Sequence, residues 1–362
     1  MDRERPFVVK CPVGGEEYPS NDFAAFRRSG MKDRSLLTGE YADDGRGWMG
    51  PNGVKYWFVG YACHWMWGKH WKPAVVQLSR SHLLTGDPKY ARKALIMLDR
   101  IAECYPDFEY CSQSRYGELK GGKYHGKILN SIWETGTLDS LAIAYDGVFE
   151  ALLGDDAVNL NHRDAKAIRA NIEANLLEEG LDSVENGRIR GNWGMHQRAS
   201  LLAALVRQNG PTGEIIKKIM EYPGTPQNAW QAGVNYALYN LIFADGMPFE
   251  TAPGYCFTWV SNLCIIADAL QLASVNLFEN PKVLRTLDAH LDLICLGQFM
   301  PSVGDSGSIH AGWSGMNATP FLRAYRATRN PRYAWAATQI DSKIFSADYR
   351  SFDDLFLEPI AA

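Results

Sequence analysis

The chain has 362 residues, of which 46% are hydrophobic and 22% charged, and its formal net charge is −4. This is globular composition with enough apolar material for one large core or two ordinary ones, which excludes a disordered or fibrous chain. The mild acidity also argues against a nucleic-acid binder that works by overall attraction to phosphate.

Seven cysteines (Cys11, Cys63, Cys104, Cys111, Cys256, Cys264 and Cys295) form no Cys-x-x-Cys spacing, and most sit among apolar helical residues. Buried free thiols are expected, and no zinc or other metal site. No apolar run approaches the length of a membrane span. Met1-Asp2-Arg3-Glu4-Arg5 is not followed by the apolar stretch of a signal peptide.

Residues 1–44 are polar and read as an irregular lead-in with a short helix near Asp22–Arg28. From Tyr56 the pattern turns helical. Residues 57–86 and 88–104 form a predicted hairpin joined at Thr85-Gly86-Asp87-Pro88, where Gly86 ends one helix, Asp87 caps the next and Pro88 fills its first turn. The same junction returns at Asn280-Pro281 and Asn330-Pro331. Its spacing favours repeated helical hairpins, hence an α/α array closing into a toroid.

Tyr116–Lys127 is a glycine-rich basic loop. It reads either as a solvated connector or as a cleft edge whose Lys123 and His125 attract anions. Glu134, Asp139 and Asp146 lie on or near the next helix and read first as caps or surface charges. Residues 161–181 predict a charged, solvent-facing amphipathic helix. Short strands are allowed near 184–190, where a turn delivers Arg188 and Arg190.

Gly191-Asn192-Trp193-Gly194-Met195-His196-Gln197 runs into an apolar helix that begins with Arg198. If the segment is already helical, Asn192 and His196 at i and i+4 share one face. That face would carry an uncharged amide and a titratable base beside the Trp193 indole; the plainer reading is a cap and a buried His. An apolar helix at 228–244 precedes Asp245–Trp259, a Pro-marked loop that carries Glu250, Tyr255 and Trp259. Helices follow at about 257–278 and 282–298. The long polar segment Pro301–Gly315 holds Asp305, His310 and Trp313, and a last hairpin leads to the tail.

These stretches resemble the heparinase II/III-like polysaccharide lyases, whose helical domain has an Asn/His segment and a downstream Glu-x-x-Pro-x-Tyr segment. Here they are Asn192 with His196, and Glu250 through Pro253 to Tyr255. The Pro301–Gly307 loop adds to the likeness, as do Gly45-Arg46-Gly47-Trp48 and Asn52–Trp57. The resemblance spans roughly 45–340. It implies an all-α fold, an incomplete (α/α) toroid of antiparallel helical hairpins, without the C-terminal β-sandwich common in that family. Residues 45–350 would be the catalytic domain and 351–362 a tail. Cys256 follows Tyr255 where such lyases commonly carry His.

The implied activity is β-elimination on a uronic-acid-containing acidic polysaccharide, with no cofactor and no nucleic-acid partner. That chemistry needs a group to mask the uronate charge, a base for the adjacent C–H, and an acid for the departing oxygen. Asn192 suits the first role, helped by Arg190 or Arg198. Tyr255 and His196 suit the others. A free phenol ionises near pKa ~10 and an imidazole near ~6.5, so Tyr255 needs a cation or donor beside it to act as base. Glu250 would orient His196 or an arginine. Trp193, Trp259, Lys123, His125, Asp305 and His310 complete the expected substrate contacts. Export to the periplasm or beyond is typical of the resembled family. Two alternatives stand: a glycoside hydrolase using paired carboxylates such as Asp146 and Glu250, and a glycan-binding domain without turnover.

Overall fold

Three Asx-Pro junctions punctuate the helices. Asp87, Asn280 and Asn330 each accept, through the side chain, the backbone N–H two residues on, from Lys89, Lys282 and Arg332. Pro in the following first turn loses no needed donor there. Gly86, at φ 68°, ends the preceding helix in the left-handed region, as that junction requires.

The computed structural model describes residues 5, 7–114, 117, 121, 125–153, 163–225, 227–250 and 252–345; Lys123 and the tail at 351–362 lie outside them. Among the described residues 62% are helical and 5% extended, so the chain is all-α. It divides into two compact units, Met1–Arg190 and Gly191–Ala362. That boundary falls inside the stretch 45–350 read from the sequence as one domain.

The first unit opens with two short antiparallel ladders in place of a wholly irregular lead-in: β1 (Val9–Lys10) with β2 (Glu17–Tyr18), and β3 (Trp48–Met49) with β4 (Lys55–Tyr56). Between them lies α1 (Phe23–Arg28), capped by Asp22. Buried Asp43 organises this region. Its carboxylate accepts from the N–H groups of Gly45 (2.7 Å), Gly47 (2.8 Å) and Val59 (3.1 Å), while Asn21 pairs with its backbone. Strands do not form at 184–190; a helix runs to Glu185 and a turn follows, with Gly187 at φ 79° and Ile189 N–H donating to the Ser183 carbonyl.

Next come α2 (Phe58–Met66), a π turn at Trp67–Trp71 and α3 (Lys72–Thr85). They are followed by α4 (Pro88–Cys104), α5 (Tyr110–Gln113) and α6 (Ser131–Asp146). A last helical run holds α7 (Ala165–Ile172), a π turn at Glu173–Glu178 and α8 (Glu179–Glu185). Helix α3 packs on α4 and α6, and α4 packs on α7. Leu95, Leu98, Leu138 and Leu141 are wholly buried, each contributing about 1.5–3 kcal/mol relative to exposure. The α7–α8 run was expected to face solvent; Ile168, Ile172, Leu176 and Leu177 are instead fully buried, and Glu173 is buried with them, accepting from the Tyr145 hydroxyl at 3.0 Å.

The second unit is built on α12. Its helices are α9 (Met195–Val206), α10 (Thr212–Glu221), α11 (Val234–Asn240) and α12 (Pro253–Leu270). Beyond them lie α13 (Pro281–Asp292), α14 (Thr319–Thr328) and α15 (Pro331–Ile340). Helix α12 packs against α9, α13 and α14. With its 3₁₀ extension it runs Pro253–Ala273, long and apolar enough by length and composition to cross a membrane. That corrects the expectation that no run approaches such a length. Trp259, Val260, Leu263, Cys264, Ile266, Ala267 and Leu270 are all buried in the core of this unit, so no clear span stands out among the described residues.

The cysteines also depart from expectation. All seven are free, but only Cys256 and Cys264 are buried, and Cys63 and Cys295 are exposed. Cys63, Cys104 and Cys111 take outward or boundary positions on α2, α4 and α5, whereas Cys11 and Cys295 lie outside the helices.

Candidate functional site

Asn192 precedes α9 and does not lie on it. The turn closes with Met195 N–H donating to the Asn192 carbonyl at 3.0 Å, and Gly194 is the helix N-cap at φ 88°. The expected i, i+4 face of one helix is thereby corrected, since the left-handed Gly194 ends helical geometry between Asn192 and His196. Gln197 completes the cap: its Oε1 accepts from Gly194 N–H (2.9 Å) and its Nε2 donates to the carbonyls of Trp230 (3.0 Å) and Ala232 (3.1 Å).

Three contacts bind the start of α9 to α12. The Trp193 and Trp259 rings stack with centroids 4.9 Å apart and planes 28° apart. A Cβ on Gly194 would meet the Asn262 Cβ at 2.5 Å, so the helices meet at bare backbone. Arg198 Nη1 donates to Asn262 Oδ1 at 2.7 Å. Asn262 is itself buried.

Tyr255 lies in the first turn of α12, one turn before Trp259 and two before Asn262. Residues four and seven apart share a helix face, so Tyr255 stands on the side of α12 that meets the Asn192–Arg198 segment, roughly 10 Å along the axis from Asn262. Its side chain is 39% exposed, whereas His196 is buried at 6% and Asn192 is half-buried. Tyr255 is thus exposed, Asn192 half-buried and His196 buried, at the starts of two helices that meet at Gly194 and Asn262. At the start of α12 the N–H groups of Gly254 and Tyr255 have no intrahelical acceptor and point outward with the positive end of the helix dipole.

Trp193 and Trp259 are core residues and not stacking platforms for a ligand. Both are essentially fully buried, Trp193 donates its indole N–H to the Ala232 carbonyl at 2.9 Å, and Trp230 and Phe249 pack edge-on against Trp259. Glu250 is half-buried; its carbonyl accepts from the Cys256 thiol at 2.6 Å. Burial, reinforced by the Glu250 charge, pushes that thiol up to about 12, so Cys256 ties the loop to α12 as a neutral donor.

Asp305 and His310 are exposed. The Ser302 hydroxyl donates to the Gly307 carbonyl at 2.7 Å, closing the loop around Asp305, and Ser306 Cα stands 4.0 Å from a Cβ built on Gly254. The Pro301–Gly307 loop therefore borders the first turn of α12. His310 packs on Phe299 at 5.4 Å.

The remaining predicted contacts belong to the first unit. Arg190 is half-buried, with its N–H donating to the Ser131 carbonyl at 3.2 Å. His125 is exposed. The basic loop ends in a cation that attracts no outside anion: Lys127 is fully buried, donating to Glu179 Oε1 (2.7 Å) and the Pro106 carbonyl (3.0 Å).

Sequence reasoning missed three residues of the junction. Asn262 and Gln197 supply its polar contacts; the first stands out as an amide inside an apolar 18-residue helix. His290 is fully buried on α13 beneath the start of α12, with Nδ1 2.7 Å from the Thr286 carbonyl and its ring 5.4 Å from Phe257. Burial holds its pKa down to about 4, against the pull of the Thr286 and Pro253 backbone, so it is neutral near pH 7. The chain matches no known family model and no curated protein sequence.

Proposed function

We propose that the chain is a polysaccharide lyase that cleaves a uronic-acid-containing acidic polysaccharide by β-elimination, on helical hairpins arranged as an incomplete (α/α) toroid. The observation that supports this reading is the junction of α9 and α12, where Trp193 stacks on Trp259 and Arg198 bonds Asn262, so that two helices whose first turns or lead-in carry Asn192, His196 and Tyr255 pack together in the second unit.

In the reaction the Asn192 amide donates to the uronate carboxylate, and this masking makes the neighbouring C–H acidic enough to lose its proton. Tyr255, the most exposed of the three, takes that proton as phenolate. The C–H electron pair becomes the new C=C bond, the C–O bond to the next sugar breaks, and the phenol returns a proton to the leaving oxygen. His196, buried near the start of α9, is assigned the role of holding or relaying a proton. The outward N–H groups at the start of α12 favour an anionic substrate. Arg198, through Asn262, fixes the two helices at that spacing.

The test is a screen of heparan-, chondroitin- and alginate-type polymers, monitored by the ultraviolet absorbance of the unsaturated uronate. Appearance of that absorbance with wild type, and its loss in Tyr255→Phe with helix content unchanged, is the expected result. Intact polymers throughout would end the proposal.

A further inference from the structure

A second cluster of chemically able side chains lies in the first unit, and its argument does not rest on the lyase reading. Glu109 caps α5: its Oε1 accepts from the Cys111 N–H at 3.4 Å and from the Cys111 thiol at 2.9 Å. Gln113 braces that cap, its Oε1 accepting from Glu109 N–H (3.1 Å) and its Nε2 donating to the Asp107 carbonyl (3.2 Å). The chain returns to the same place at His125. Tyr110 N–H donates to the Gly126 carbonyl (3.3 Å), and Ser131 N–H at the start of α6 donates to the His125 carbonyl (2.8 Å). Gly126 permits this closure: at φ 145°, any Cβ would collide with the Leu129 carbonyl. One carboxylate oxygen, one sulfur and one imidazole nitrogen are left within 4.8 Å of one another.

We infer that Glu109, Cys111 and His125 form a binding site for a thiophilic divalent cation of the zinc class, with solvent as the fourth ligand. A sulfur, nitrogen and oxygen donor set suits zinc and is poor for magnesium or calcium, which take oxygen ligands. Tetrahedral zinc with ordinary bond lengths holds such donors about 3.3–3.8 Å apart. Closing from the present spacing therefore asks for side-chain shifts of about 1 Å, which half-buried Glu109 and Cys111 and exposed His125 are free to make. On binding, the thiol proton passes to solvent, a sulfur–metal bond replaces the S–H···O hydrogen bond, and the carboxylate changes from acceptor to ligand. Neither metal nor sulfur changes oxidation state. A bound cation would fasten the 125–130 segment, which feeds α6, to the cap of α5.

The experiment uses the full chain after treatment with chelator. Zinc is added in a calorimeter, and cobalt(II) in parallel as a spectroscopic probe of thiolate ligation. One equivalent is expected, with a sulfur-to-cobalt charge-transfer band. Cys111→Ser should abolish that band, and Cys111→Ser and His125→Ala should each weaken binding on the order of a hundredfold. Cys63→Ser, which removes an exposed thiol elsewhere, should bind as wild type does. Circular dichroism establishes that the variants keep their helix content. No stoichiometric binding by wild type, or unchanged binding in the Cys111 and His125 variants, overturns the assignment.

Discussion

Replacing Gly194 with Ala probes the junction on which the proposed function depends. The substitution has two costs. Gly194 sits at φ +88°, where a non-glycine residue is strained by about 1–2 kcal/mol. The new methyl would also stand 2.5 Å from the Asn262 Cβ, which is backed by the core helix α12 and cannot swing away; overpacking of this kind costs about 1–3 kcal/mol. Together the change should destabilise the second unit by about 2–5 kcal/mol. Gly307→Ala is the matched control, because Gly307 has φ +79° in the same unit with nothing within 4 Å of the added Cβ. It should show the strain alone. Urea denaturation of both variants isolates the packing contribution as their difference, expected at about 1–3 kcal/mol. If the two variants lose equal stability, α9 and α12 do not meet at bare backbone and the junction is wrongly built.

Tyr255→Phe should lower elimination by about 10²–10⁴-fold, the usual contribution of a proton-transferring group, with little effect on stability because the phenol is partly exposed. Glu250→Gln should cost far less in steady-state assays; the reverse ranking would favour hydrolysis by paired carboxylates. Lys127→Ala should destabilise the first unit by about 1–3 kcal/mol, since it removes the part-buried hydrogen bond to the Pro106 carbonyl while Glu179 keeps Arg188 at 2.9 Å, and should leave KM for an acidic glycan unchanged. His290, held at a pKa of about 4 when folded against about 6.5 when unfolded, binds its proton more readily in the unfolded chain. The stability it contributes is therefore full above about pH 6.5 and is lost as pH falls towards 4; thermal melts across that range should show the slope in wild type and a flatter one in His290→Gln. Glu134 titrates in the opposite sense: burial raises it to about 7, so its contribution is full below its unfolded value near 4.5 and fades as pH rises through 7.

The helical class was legible because its signals are local. Pro88, Pro281 and Pro331 follow side chains that cap a helix, and each cap bonds within two residues of itself. The meeting of α9 with α12 could not be read from spacing, because the contacts that make it, Trp193 on Trp259 and Gly194 on Asn262, join residues more than sixty positions apart. Trp193 was misread because an indole flanked by glycines can equally cover a core or face a cleft, and the choice falls to Trp259 and Ala232, both distant in sequence. The burial of Lys127 was not legible for a related reason: its partner Glu179 lies on α8, and a lysine in a glycine-rich loop ordinarily points to water. The Glu109, Cys111 and His125 cluster has no ligand spacing, because a helix cap and a glycine-permitted chain reversal create it. Asp43 escaped notice as well, since a carboxylate that collects three backbone N–H groups resembles any loop acid until the backbone is folded around it.

The central claim is the type of bond cleavage, and mass spectrometry of the products made in heavy-oxygen water tests it most directly. Elimination predicts oligosaccharides whose new non-reducing end is one water lighter than the hydrolytic product, with no heavy oxygen incorporated at cleavage. Products of full hydrolytic mass that carry the solvent's oxygen at the cleaved bond would contradict the account.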